Sequence, residues 1–415
     1  MRLRPTVRGT VLALAGLALL WVGALLGSDD VVQLGTVAVL LVAASVVVTG
    51  LRDPGRGRHR LRVTRSTSPP TLTAGRPAQV RTALRAATAD GARRLAGARL
   101  QEAADDELTG GLPLRVRAVR VPGGAGLSYT VRPTRRGVWA LGPLTLTRGD
   151  VFGVVRVRRE VGTETLLRVW PATVALPAPR EVLPGAPEQT VLGALTPAPD
   201  DVSLREYREG DDLRRVHWRS SARLGELVVR TDERAGTRPA TVLVDTPADP
   251  DALEWTLGLG ASMALALLDA GHAVRFVPAD PDGDPAETFV HVTGGADARA
   301  AVLDSTVELV PAASGAAAAA GVRRAARALG HASGEREVLL AVVGTEPVPA
   351  DDPLLPLGAG ADAYAVVRHE GSDTTRERAH DVAELLGRHG WHVALAAVGE
   401  HPARVWERLL VGVPA

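Results

Sequence analysis

The sequence predicts a multidomain chain of two transmembrane helices, a β-sandwich middle domain and an α/β doubly wound C-terminal domain. Three observations carry that reading. Two long uncharged stretches stand near the N-terminus, short alternating runs broken by Pro and Gly fill the middle, and strand-like and helix-like runs alternate from about residue 240 onward.

Residues 9–27 (GTVLALAGLALLWVGALLG) and 31–51 (VVQLGTVAVLLVAASVVVTGL) carry no charge. Each is close to the roughly 20 residues that cross a bilayer core. Ser28, Asp29 and Asp30 alone lie between them, so the two spans form an antiparallel hairpin with the acidic pair at the water boundary. Arg2, Arg4 and Arg8 precede the first span, and Arg52, Arg56, Arg58, Arg60 and Arg62 follow the second. Basic flanks stay on the cytoplasmic side, which makes this a two-pass protein of the cell membrane with both termini and its soluble domains in the cytoplasm. A cleaved signal peptide is the competing reading. Its apolar region would be about 7–15 residues, shorter than the first stretch, and a second stretch follows at once.

The 415 residues are long enough for two or three domains with cores of their own. The formal net charge is only +1, which offers nucleic acid no concentrated basic field. Cysteine is absent, excluding disulfides, thiolate nucleophiles and cysteine-bound zinc or iron–sulfur centres. Histidine and carboxylates remain as the plausible metal ligands.

From Leu61 to about Leu176, runs such as LRVTRS, AQVRTALRA, LRVRAVRV, LSYTVRP and LLRVW alternate between apolar and polar residues, as antiparallel strands with one wet face do. In LRVRAVRV, Leu114, Val116, Ala118 and Val119 are expected opposite Arg115, Arg117 and Arg120 for most of the strand. Gly137, Gly142, Gly149 and Gly153 fall between strand-like runs and read as tight-turn residues with positive φ. No helix start follows them, so they do not form a phosphate cradle.

A Pro-rich linker leads to the densest motif, residues 204–230, LREYREGDDLRRVHWRSSARLGELVVR. Gly210 supplies a turn, Asp211 or Asp212 can cap a short helix, Leu213, Val216 and Trp218 can turn inward, and ELVVR begins a strand after Gly225. Acids and arginines alternate, which suits a salt-bridged connector, and Arg, Tyr and Trp are also the residue types of binding hot spots. His217 with Asp211 and Asp212 has the side chains of a metal or acid–base site, but no second histidine at ligand spacing.

At Arg205, Glu206, Tyr207, Gly210, Asp211, Asp212, Arg214, His217, Trp218, Ser221, Ala222 and Arg223 the stretch resembles the signature of the bacterial family called domain of unknown function 58. The resemblance implies a membrane protein that works with a MoxR-type AAA+ ATPase. The chain itself lacks the Gly-x-x-x-x-Gly-Lys phosphate loop, so nucleotide hydrolysis would be the partner's.

The C-terminal part alternates ATVLVD, a helix near 252–270, HAVRFVPAD, FVHVTG, an Ala-rich helix, EVLLAVVG, AYAVVRH, a helix near 374–389 and WHVALAAVG. This argues a mainly parallel sheet covered by helices. Residues 256–268 are uncharged but too few to span a membrane, and read as a buried core helix. This part resembles von Willebrand factor A domains, with Asp245 where that family's Asp-x-Ser-x-Ser cation site begins. Pro247 and Asp249 stand where the two serines should be, so Asp245, Asp249 and Asp251 form at best a loose oxygen cluster. By fold analogy, the loops after Asp245, Asp280 and Gly344 line any ligand site.

The expected boundaries are a transmembrane hairpin at 1–56, a β-sandwich at 57–180, linker and signature motif at 181–235, and the von Willebrand factor A-like domain at 236–415. The expected function is non-enzymatic: an anchored scaffold with no cofactor, presenting its soluble domains to the ATPase. The alternative is a metal-assisted hydrolase using Asp211, Asp212 and His217.

Overall fold

Thr6 starts the first helix, and glycine ends it. The computed structural model describes residues 2–51, 61–95, 97–177, 203–206, 221, 228–231, 238–280, 283, 290–332, 337–360 and 362–411. In helix α1 (Val7–Leu26) the Thr6 side chain accepts a hydrogen bond from the Gly9 N–H, and Gly27, left-handed at φ 62°, donates its own N–H to the Gly23 carbonyl. Helix α2 (Asp29–Leu51) follows after Ser28. Asp29 and Asp30, expected in the connection, instead occupy the first turn of α2, where carboxylates meet the helix's unpaired N–H groups. Both helices are long and apolar enough to cross a membrane.

The helices meet along small residues. The buried positions of α1 are Gly9, Gly16 and Gly23, and those of α2 are Gly35, Ser45 and Thr49. A Cβ on Gly35 would lie 2.8 Å from the Gly16 carbonyl oxygen and from the Leu20 nitrogen, so the two backbones touch there. In lipid, where apolar side chains gain nothing by leaving their solvent, such close approach is what holds a helix pair.

By contact the chain divides into two compact units, Met1–Ala172 and Thr173–Ala415. The rest of the first unit is mostly antiparallel. One sheet orders β2 (Leu61–Ser68), β4 (Ala78–Ala86), β7 (Gly124–Val131) and β6 (Arg117–Val121). The other orders β1 (Arg2–Pro5), β9 (Val155–Val161), β8 (Gly137–Gly149), β10 (Thr165–Trp170) and β3 (Leu72–Thr73), with β5 (Arg99–Ala104) also paired to β8. Alternate positions turn inward, so Val80, Leu84, Leu127 and Val131 from one sheet share a core with Leu144, Leu146, Leu167 and Val169 from the other. The short helices α3 (Ala89–Leu95) and α4 (Asp106–Thr109) add Leu95 and Leu108 to it.

Two expectations change here. Strand β6 is a sheet edge that begins only at Arg117, and Val116 before it and Ala118 and Val119 within it stay exposed, so these apolar residues do not form an inner face. Gly137, Gly142 and Gly149 lie within the long strand β8 and not in turns; the expected positive φ is found at Gly137, Gly142 and Gly153, of which only Gly153 sits in a turn. Gly142, at φ 103°, leaves room for the Arg65 guanidinium, which a side chain there would strike.

That guanidinium joins the two sheets. Arg65 donates from Nε and Nη2 to Glu102 Oε1 at 3.0 and 2.7 Å, and from Nη1 to the Thr163 carbonyl and Thr165 Oγ1 at 2.8 and 2.9 Å. The pair is almost fully buried.

In the second unit a six-stranded sheet orders β15 (Val290–Thr293), β14 (Ala273–Pro278), β13 (Ala240–Val244), β16 (Val338–Val343), β17 (Asp362–His369) and β18 (His392–Ala397). All neighbours are parallel except β14 and β15. Helix α5 (Pro250–Asp269) extends the uncharged 256–268 run to 20 residues, long and apolar enough to cross a membrane, but every residue of the run is buried within the unit, as expected of a core helix. Gly260 lets it press against Val244 and Phe276. The helix α6 (Ala296–Val307) lies beside α5. The opposite face of the sheet takes α7 (Gly315–Ala332) and α9 (Asp373–Arg388), where Ala325, Leu329, Val382 and Leu386 pack with Leu243, Ala341 and Val367. A short α8 (Leu357–Gly360) precedes β17, and α10 (Pro402–Val411) ends the unit. Its Trp406 is fully buried and donates from Nε1 to the Pro177 carbonyl at 2.9 Å. Outside both units' main sheets, β11 (Ser203–Glu206) pairs antiparallel with β12 (Val228–Thr231).

Arg65→Met strands Glu102 as a lone buried carboxylate and is expected to cost about 3–5 kcal/mol, whereas Arg65→Met with Glu102→Leu restores most of the loss. Chemical unfolding of the single and double variants in detergent measures the difference.

Candidate functional site

Strand order reverses between β13 and β16: the chain runs outward through β14 and β15 on one side and through β17 and β18 on the other. In open α/β sheets a crevice forms where the order reverses, at the carboxyl ends of the strands. Here it is a cavity of about 180 Å³, lined by Asp245 and Asp249 after β13, Gly344 and Glu346 after β16, and Arg368 and Glu370 at the end of β17.

Asp245 is the buried centre of this site, and its partner is an arginine. Arg368 Nη1 donates to Asp245 Oδ1 at 2.6 Å and to Thr256 Oγ1 on α5 at 3.1 Å. Both side chains of the ion pair are at most 7% exposed, so solvent screens it little. The Asp245 carboxylate also accepts the Gly344 N–H. A side chain at Gly344 would crowd Arg368 Nη2 at 3.0 Å, so the glycine makes room for the pair. Burial pushes the Asp245 carboxyl up from the usual range, and the Arg368 charge opposes that rise.

The neighbouring oxygen atoms are committed too. Thr246 Oγ1 donates to the Ala279 carbonyl at 3.1 Å. Asp249 is the N-cap of α5, its Oδ1 accepting the Ala252 N–H at 2.7 Å, and Pro250 follows it where a missing N–H costs nothing. Asp251 lies in the first turn of that helix. A divalent cation would need oxygen ligands at about 2.0–2.6 Å, and the guanidinium stands in that space beside Asp245. Among the described residues no group of three or more His, Asp or Glu side chains is arranged to hold a metal ion.

The predicted residues separate accordingly. The loops after Asp245 and Gly344 do line the cavity, while the loop after Asp280 contributes no lining residue among those described. Of the signature, Arg205 and Glu206 lie on β11, and Ser221 is buried. Tyr207, Gly210, Asp211, Asp212, Arg214, His217, Trp218, Ala222 and Arg223 lie outside the described residues, and so does the His217, Asp211 and Asp212 grouping. Arg368 and Thr256 were not anticipated. The available signal was a lone charge inside the apolar run AYAVVRH, since a buried charge requires a partner.

His369, next to Arg368, is buried and accepts the Gly371 N–H at Nδ1 over 3.2 Å, which requires the neutral ring. Burial, with help from Arg376, holds its pKa below the ordinary 6.5. The unfolded chain therefore takes up this proton first. Stability is full above pH 6.5 and is lost as pH falls through the lowered folded value. Chemical unfolding between pH 7.5 and 5 is expected to show this decline, and His369→Asn to flatten it.

In comparison with known families, residues 203–343 fit the family described as Protein of unknown function DUF58. This is the family that residues 204–230 resemble, and the match runs from β11 through β16. No curated protein matches the chain.

Proposed function

We propose that this chain is a membrane-anchored interaction protein, not an enzyme, whose α1–α2 hairpin spans the cell membrane and whose remaining domains face the cytoplasm. The first unit's sheets are read as a β-sandwich and the second unit as a von Willebrand factor A-like domain. A single core fed by both sheets supports the former. The strand order, with one antiparallel edge strand at β15, supports the latter. Sidedness rests on the arginines that flank the hairpin.

The observation that carries the reading is the Asp245–Arg368 pair at the mouth of the switch-point crevice. An internal guanidinium supplies the positive charge that a bound cation would bring, so the domain needs no metal to stay folded there. What it offers outward is a rim of exposed carboxylates, Asp249, Glu346 and Glu370, suited to basic side chains of a protein partner. By resemblance that partner is a MoxR-type AAA+ ATPase.

Affinity purification of the full chain from its native membrane tests this. A co-purifying ATPase is expected, with recovery reduced by Tyr207→Ala, Arg223→Ala or Glu346→Arg. If no ATPase appears and the purified protein turns over a substrate only with His217 intact, the hydrolase reading replaces this one. Calorimetric titration with magnesium should give no saturable heat. Tight binding abolished by Asp245→Ala would overturn the metal-free account.

A further inference from the structure

The first unit places an apolar tip and an arginine ladder where the chain enters its first apolar helix. Asp150 holds the tip between β8 and β9. Its Oδ1 accepts the Val155 N–H at 2.9 Å and its Oδ2 the Phe152 N–H at 3.2 Å. Val151 and Phe152, at the apex, are 91% and 63% exposed. The tip is fastened to the start of α1, because Thr6 donates from its N–H to the Val154 carbonyl at 2.9 Å and from Oγ1 to the Gly153 carbonyl at 2.5 Å.

Between the tip and α2 lies a groove of about 260 Å³, lined by Leu41, Ala44, Ser45, Val48 and Thr49 on the helix and by Val151 and Phe152 opposite. At a rise of about 1.5 Å per residue, Thr49 and Leu41 stand roughly 3 and 15 Å inside the helix end. The polar layer of a bilayer leaflet is only about 5–8 Å deep, so the groove opens at the level of the acyl chains.

The ladder lies on the adjoining strand pair. β1 and β9 run antiparallel with Arg2 opposite Arg158 and Arg4 opposite Arg156. Like charges directly opposite each other destabilise a sheet. Val155 and Val157 turn inward, leaving Arg156 and Arg158 exposed with Arg4. None of these three has an ion pair with a carboxylate among the described residues. Arg4 and Arg156 face each other three residues before the start of α1, with Arg158 next along the same exposed face, and such a cluster is tolerated if an anion outside the chain neutralises it.

We propose that this edge is a binding site for an anionic phospholipid: Arg4, Arg156 and Arg158 hold the headgroup phosphate, and the groove between Phe152 and α2 takes an acyl chain. The proposal rests on the hairpin spanning a bilayer and adds to that reading a lipid preference and a fixed depth for the β8–β9 tip.

Because the chain has no cysteine, single labelling sites can be introduced without background. Nitroxides at Phe152→Cys, at Leu14→Cys on the exposed face of α1 and at Glu164→Cys are compared in phosphatidylglycerol-containing vesicles, using collision with oxygen against collision with a water-soluble nickel chelate. Phe152 and Leu14 are expected to favour oxygen, and Glu164 nickel. If Leu14 favours oxygen but Phe152 nickel, the anchor stands and the lipid site falls. If both favour nickel, the spanning reading falls as well. In nanodiscs of equal phosphatidylglycerol and phosphatidylcholine, lipid co-purifying with the protein should be enriched in the anionic species. Arg156→Gln and Arg158→Gln should each weaken that binding roughly fivefold, and unchanged enrichment in both would overturn the headgroup assignment.

Discussion

The two hydrogen bonds from Thr6 to the Gly153 and Val154 carbonyls set how α1 leaves the first unit's sheet. They join a helix whose length answers to a bilayer to a sheet whose register answers to a core. The same residue caps α1 through its side chain, so one threonine ends β1, begins the helix and fixes the angle at which they meet. A Cβ at Gly9 would strike the Val154 carbonyl, so the glycine one turn further on is what permits this approach. The helix is thus welded to the sheet and not hung from a tether.

Much of this was legible in the amino-acid order. Charge-free stretches of spanning length leave few alternatives, and the β–α alternation after residue 240 follows from runs of different period. What could not be read depends on contacts between distant residues. Arg2 and Arg4 look like a basic flank, since four residues are too few to display a strand's alternation, and only pairing with Val155–Arg158 makes them β1. Gly9, Gly16 and Gly23 recur every seven residues, yet the spacing becomes meaningful only when Gly35 is found against Gly16. At the crevice, Asp245 was visible from its place after a buried strand, but Arg368 lies 123 residues away. The signature at 204–230 was the most specific signal in the sequence, and its polar centre falls outside the described residues.

Among the described residues each unit also holds an arginine–carboxylate pair that is almost fully buried, Arg65 with Glu102 and Arg368 with Asp245. Such pairs contribute little net stability, because the cost of removing both charges from water nearly cancels their attraction. They do make misalignment costly, since a shifted strand would leave a charge alone in the core. In the first unit the pair sets how two sheets face each other. In the second it closes the end of β13 against α5 and β17.

The bond from Trp406 to the Pro177 carbonyl closes a loop of 229 residues between α10 and the start of the second unit. During synthesis the beginning of that unit emerges long before α10 does. Residues 173–177 can meet α5 first, through the Val174 N–H to Ser262 Oγ at 3.0 Å, and their bond to Trp406 waits until α10 has emerged. A nascent chain stalled before α10 would leave the faces of β17 and β18 that α10 covers exposed, and chaperones and proteases find incomplete products by such faces.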